Sequence, residues 1–433
     1  MADRTRDAPW RSTDFRLLIA GQTVTQLGTD VTAIAFPLIA VLLLDATAWQ
    51  LGALVAVQNG AFLLVGVPAG VWLDRRRLRP VLIATDLVRA AALLTVTVAA
   101  AVSQLSLPLL MTAAGVLAVM RVLFDIGHQS YLPTLLDRRD LLRGNSAVEL
   151  VRSSGQVTAP SIGGWLTQLV GATNTLLVDA ASFLVSAVCL ARIRTTERGP
   201  TRVGRAGMVR EARDGLRFVL ANPVLRAIAA TSAVSNLLFT AATALIVLFL
   251  IDTVGLRPGT AGMLLSAAPV AALLGAAVAA RLARRVGSAR IIWLALAVTG
   301  PFNLLIPLTG PGWRTGFFVA GMVGGGVGQV VYGITQVSYR QAIVPSEFLC
   351  RVNASMRFLV MGALPLGGLL GGALGGALGV RATLLLVGAG LTLAPLPLLL
   401  SPLRRARDLA DLTPALETGT RRTRRGSTAT VRP

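Results

Sequence analysis

The chain contains no lysine; all 41 of its basic residues are arginine. A Walker-type phosphate loop requires Gly-Lys-Ser/Thr, so an ATPase domain of that kind is excluded. Cys189 and Cys350 are the only cysteines, too few for a disulfide framework or a metal site. A single histidine, His128, and scattered acids leave no converging catalytic set, which argues against a membrane-embedded enzyme. Charged residues make up 14% of the 433 and aromatics 5%, whereas 54% are hydrophobic. A soluble domain of this length needs more polar surface. The formal charge of +21 raises the question of nucleic acid. Nucleic-acid binders gather basic residues on one face, interleaved with aromatics. Here the arginines lie in short loops between apolar runs, so no nucleic-acid partner is expected.

What the chain does have is apolar runs near the ~20 residues that cross a hydrocarbon core. Twelve spans are predicted, over 15–44, 50–73, 80–102, 105–130, 146–170, 172–192, 224–250, 259–282, 288–309, 314–337, 352–378 and 382–401. The fold class is therefore an all-α membrane protein. Arg4, Arg6, Arg11 and Arg16 stand before or at the start of the first span, which is too long for a signal-peptide core, so an uncleaved first helix is expected. With the N-terminus inside, external connections hold only Arg257, Arg314 and Arg381. Internal loops then receive the remaining clusters, as the positive-inside rule requires. Both termini are thus expected in the cytoplasm of a multi-pass protein of the cell membrane.

The longest internal loop divides the chain. Residues 1–14 form a cytoplasmic N-terminus, 15–192 a six-helix bundle, 193–223 a linker, 224–401 a second six-helix bundle and 402–433 a basic tail. In the linker Val209, Ala212, Leu216 and Val219 recur at helical spacing, with Arg210, Arg213 and Arg217 on another face. A helix on the anionic lipid surface and a solvated linker helix both fit that pattern. The two halves are related by an internal repeat. Ser130-Tyr131, Leu141, Arg143 and Asn145 return as Ser338-Tyr339, Leu349, Arg351 and Asn353. Gly70-Val-Trp-Leu-Asp74-Arg75 has a counterpart ending in Arg284-Arg285, and Pro160-Ser-Ile-Gly163 one in Pro365-Leu-Gly-Gly368. The bundles are therefore pseudo-symmetric.

On these residues the chain resembles the major facilitator superfamily over all twelve spans. Gly70-x-x-x-Asp74-Arg75 is similar to that superfamily's loop between spans two and three, departing from it at Arg77 and Leu78. Gly155-x-x-x-Ala159-Pro160-x-x-Gly163-Gly164 is similar to the antiporter signature of span five, with Ala159 in place of a glycine. Leu-Leu-Arg143-Gly-Asn145-Ser resembles the drug:proton antiporter branch, which includes macrolide efflux proteins and enterobactin-type siderophore exporters. The resemblance implies a secondary exporter of small amphipathic molecules, exchanging substrate for protons by alternating access and needing no cofactor. An uptake symporter of the same fold and a transport-inactive sensor remain the alternatives. Two such halves suffice in one chain, so a monomer is plausible, and membrane lipids are its surroundings.

Polar residues inside the spans invite a functional reading because each is costly there. Asp30 lies midway along span one, with Gln22 and Gln26 on the same face. Span two adds Gln58 and Asn59, and span ten Gln329, Tyr332 and Gln336. They are candidates for polar handles in an apolar substrate cavity, or for interhelical hydrogen bonds. Asp30 is the candidate coupling carboxylate, since no arginine stands within a helical turn of it. Arg121 and Asp125 at i and i+4, with Glu149 and Arg152 on span five, suit ion pairs. The resemblance implies that the loop acid joins an internal charge network, so with Gly70, Asp74 and Arg75 they are candidates for that gate, or for a static neutralised cluster. A solvated or structural role suits His128 better than proton relay. Asp86, Arg89 and Asp179 receive no role.

Orientation is directly testable. Reporter fusions within 193–223 and at either terminus are expected to report the cytoplasm. A linker fusion on the opposite face would overturn the topology and the two-half organisation together.

Overall fold

In the computed structural model, residues 12–73, 75–136, 141–195, 216–344 and 346–408 are described. Twelve long helical segments follow one another. They are α1 (Thr13–Leu44), α2 (Ala48–Leu73), α3 (Leu78–Ala101), α4 (Leu107–Leu135), α5 (Leu141–Val170) and α6 (Ala172–Arg192). The series continues with α7 (Pro223–Thr253), α8 (Pro258–Val286), α9 (Arg290–Leu308), α10 (Thr315–Ile343), α11 (Ser346–Leu378) and α12 (Val380–Leu399). α7 ends in a π turn, α8 breaks at Ser266, and α9 tightens to a 3-10 helix from Gly300, where Pro301 cannot donate. Most of the 193–223 linker and of the 402–433 tail lies outside the described residues.

Eleven of these helices are long and apolar enough to cross a membrane. The exception is α5, whose 30 residues are ample in length but include Arg143, Glu149 and Arg152 and many small polar residues. Leu64, Leu169, Trp313 and Leu400 are each more than 70% exposed, an apolar surface that water would not tolerate but lipid does.

Helix ends correct the sequence reading in one systematic way. The apolar runs predict ends at 130 and 337 and restarts at 146 and 352. Instead α4 continues to Leu135, α10 to Ile343, and α5 and α11 begin at Leu141 and Ser346. At 1.5 Å per residue the 29 residues of α4 reach about 43 Å, beyond a ~30 Å hydrocarbon core. Apolar length measures only the part of a helix in lipid, so both halves err at the same place. The repeat is visible there. Tyr131 and Tyr339 are both fully buried, and Ser130 and Ser338 each donate to the carbonyl four residues back, at 3.0 Å.

The packing forms two compact units. One comprises Met1–Gly204, Thr240–Pro269 and Leu364–Thr383, the other Arg205–Phe239, Val270–Ala363 and Leu384–Pro433. In the first, α1 packs on α5 and α6, α3 on α4 and α6, and α2 on α4. The side chain of Arg79 donates to the carbonyls of Leu190 and Ala191, tying the start of α3 to the end of α6. Asp14 likewise accepts from the backbone N–H groups of Arg194 and Thr195, at 3.2 and 2.9 Å.

Lipid supplies no hydrophobic drive between helices, so close approach at small residues carries the packing. In the second unit Gly321, Gly324, Gly325 and Gly328 seat α10 against α9. A β-carbon on Gly325 would stand 2.7 Å from the Asn303 amide, and one on Gly328 would collide with Thr299. Gly333 faces open space. Gly328→Ala is therefore expected to cost about 1–3 kcal/mol through overpacking and to lower the melting temperature in detergent. Gly333→Ala should leave it unchanged. Equal melting temperatures for the two variants would contradict this packing.

Candidate functional site

The α1 face expected from the sequence exists. Gln22, Gln26 and Asp30 are half-buried in line along it. The Gln26 amide donates to Asp30 Oδ2 at 2.9 Å, whereas Gln22 Oε1 is buried with no hydrogen-bond partner among the described residues. Space for the carboxylate comes from α5. A β-carbon on Gly155 would stand 2.7 Å from Asp30 Oδ2, so this glycine of the antiporter-like pattern is the wall against which Asp30 lies. No arginine stands within a helical turn of Asp30 along α1. Arg121 of α4 and Arg152 of α5 both act on it electrostatically. Helical spacing could not reveal them, because they arrive from other helices.

On α2, Gln58 is half-buried, and Asn59 donates to its own helix at the Val55 carbonyl, 2.9 Å away. In the second unit Tyr332 is fully buried and shares a 2.7 Å hydrogen bond with Ser232 of α7. Its hydroxyl also lies 3.1 Å from the Ile228 carbonyl, so it joins α10 to α7. Gln336 is half-buried and accepts from Arg340 at 3.4 Å, and Gln329 is half-buried.

The remaining glycines of α5 divide their work. Gly163 abuts Val31 of α1, while Gly164 meets α8: a β-carbon there would lie 2.8 Å from the Cα of Gly262. Gly262 reciprocates against Gly164 and the Pro160 carbonyl. The seam carries few polar bonds, Ser161 Oγ to Ser266 Oγ at 2.7 Å and Gly259 N–H to Gln168 Oε1 at 3.0 Å. A second seam of the same unit joins α2 to α11, where a β-carbon on Gly372 would lie 3.0 Å from the Cα of Gly52.

Arg121 and Asp125 are 3.8 Å apart, Arg152 and Glu149 4.0 Å, each pair within one helix and all four side chains more than half exposed. Exposed pairs of this length contribute little to stability. Arg75 is exposed, and Gly70 has open space beside it. Asp74 lies outside the described residues.

The sequence reading gave no role to the most completely buried charges. Asp86 and Arg89 form a 2.6 Å ion pair with side chains 0% and 5% exposed. The Arg89 guanidinium lies 4.4 Å from the ring centre of Phe124 and 4.5 Å from that of Phe183. His128, also buried, stacks on Phe124 at 5.7 Å. Nearby on α6, Asp179 accepts from Thr32 at 2.6 Å and from Ser182 at 2.9 Å, in space left by Gly28 of α1. The i, i+3 spacing of Asp86 and Arg89 was legible. The aromatic pair around Arg89 was not, since it comes from α4 and α6.

A family model described as transmembrane secretion effector matches residues 5–421. The chain is 28% identical to the multidrug efflux pump Tap of Mycolicibacterium fortuitum, covering 92% of this chain and 96% of that protein. It is 27% identical to the enterobactin exporter EntS of Shigella dysenteriae, over 82% and 85% of the two chains. Among solved structures it is similar to an inward-facing bacterial homologue of the iron transporter ferroportin, with a TM-score of 0.70 at 17% identity, covering 89% and 97%. Two structures of the nucleoside transporter NupG give TM-scores of 0.70 and 0.69 at 11% and 13% identity, a likeness of fold alone. The chain is a multi-pass membrane transporter, not an enzyme, and it belongs to the transmembrane secretion effectors of the major facilitator superfamily.

Proposed function

We propose that the chain exports small amphipathic molecules across the cell membrane in exchange for protons, by alternating access, with both termini in the cytoplasm. The observation that carries this reading is the seat of Asp30. A carboxylate midway along a spanning helix is half-buried, bonded to Gln26, walled by Gly155 and within electrostatic reach of Arg121 and Arg152. Such a group has neutral and ionised states that its neighbours oppose differently, which coupling requires. Gln22, whose buried oxygen has no partner among the described residues, supplies a polar handle for substrate on the same face. Gln58, Asn59, Gln329, Tyr332 and Gln336 complete the proposed set of handles. Efflux and export by the relatives named above support the direction. One proton moving through 100 mV releases ~2.3 kcal/mol, enough for modest uphill export.

The glycine seams support the conformational part. Surfaces that meet backbone to backbone with few polar bonds separate without stranding buried donors. The α5–α8 and α2–α11 seams are the proposed outer gate. Gly70, Asp74, Arg75, Arg121, Asp125, Glu149 and Arg152 are the proposed inner one, latched when the protein faces outward.

Asp30→Asn mimics the protonated carboxylate. It is expected to retain substrate binding but to lose substrate-induced proton release in detergent and gradient-driven accumulation in proteoliposomes. A variant that releases protons and concentrates substrate like wild type would move coupling to another carboxylate. Asp74→Asn is expected to insert normally yet slow transport and shift cysteine accessibility toward the inward-open pattern. Normal flux with unchanged labelling would leave Asp74 a solvated loop residue.

A further inference from the structure

Two grooves flank the beginning of α3. One, about 660 Å3, lies between the end of α2 and α3 with α4 behind it, and is lined below its rim by Val81, Ala84, Val88 and Leu123. The other, about 520 Å3, follows the opposite flank of α3 toward the end of α6, past Ile83 and Leu87. Arg77, Pro80 and Ala84 border both. Arg75, Arg76 and Arg77 crowd the rim of the larger groove, all three exposed. Among the described residues none of the three is ion-paired, and Arg76 rests 5.7 Å from the ring centre of Trp72. Arg79 differs, because its guanidinium is already engaged by α6 carbonyls.

From this arrangement we infer that the grooves at the start of α3 hold an anionic phospholipid, its phosphate on Arg76 and Arg77 and an acyl chain along α3. Guanidinium forks match phosphate oxygens in pairs, and basic pockets between helices at the cytoplasmic end take anionic head groups. The depth of the groove selects a lipid over a soluble anion. From Arg77 to Val88 it descends about 16 Å along the helix. The polar side chain on that stretch of wall, Thr85, already donates to the Leu82 carbonyl at 2.7 Å. A soluble phosphate would use only the rim and leave that wall uncovered. A zwitterionic lipid would bring its own cation against three arginines. The site is separate from Asp30, and Arg75 is its only residue shared with the proposed gate, so the experiment leaves Arg75 in place.

The test is native mass spectrometry of the full-length protein in detergent, titrated with phosphatidylglycerol or with phosphatidylcholine. Wild type is expected to retain one phosphatidylglycerol with a preference on the order of tenfold. Arg76→Gln with Arg77→Gln should abolish the preference, whereas Arg404→Gln with Arg405→Gln, a basic pair of the other unit, should keep it. Ala84→Trp puts a bulky ring at the residue that borders both grooves, with every charge intact, and should also weaken phosphatidylglycerol binding. It decides the question alone if the double variant fails to fold by circular dichroism. Equal retention of the two lipids by wild type, or equal losses in the two arginine variants, would overturn the site. Displacement of the lipid by inorganic phosphate would make it a soluble-anion site and overturn the lipid assignment.

Discussion

The constraint on which the rest depends is that lipid is as apolar as the side chains facing it. Burying a leucine between two spanning helices gains almost nothing over leaving it in lipid, so helices associate where backbones approach closely and polar groups are satisfied. The chain meets this with glycine. α10 lies on α9 through Gly321, Gly324, Gly325 and Gly328, α5 meets α8 at Gly164 and Gly262, and α2 meets α11 at Gly52 and Gly372. Each removes a β-carbon for which there is no room.

The same device makes room for charge. Gly155 leaves space for Asp30, and Gly28 leaves space for Asp179. A carboxylate in the bilayer is expensive unless its lone pairs find donors. Asp179 finds two hydroxyls and is sealed, whereas Asp30 finds one amide and stays partly open. On the proposed reading, that difference separates a structural acid from one free to exchange a proton. The buried Asp86–Arg89 pair, held between two phenylalanine rings, belongs with the sealed kind.

Much of this was legible in the sequence, for physical reasons that also fix where legibility stopped. Bilayer thickness imposes apolar length, so the helices in lipid could be drawn, and the repeat of Ser130-Tyr131 at Ser338-Tyr339 marked equivalent corners. The helical extensions of α4, α5, α10 and α11 beyond those limits obey no apolar rule and were missed. α5 is the exception among the spans expected from apolar runs, since its polar residues leave it short of the apolar content of the other eleven. Within one helix, spacing placed Gln22, Gln26 and Asp30 on a common face. Across helices spacing says nothing, because Gly155 meets Asp30 only through tertiary packing, as Phe124 and Phe183 meet Arg89.

The central claim is that substrate and proton move in opposite directions through this one chain. It is tested by purified wild-type protein in proteoliposomes that enclose a pH-sensitive dye, with an amphipathic substrate such as a macrolide supplied on one side only and no pH gradient at the start. The account predicts that substrate running down its gradient drives protons the other way, changing the internal pH, and that an uncoupler abolishes the change. Substrate flux with no change in internal pH, or with protons moving in the same direction as substrate, would contradict it.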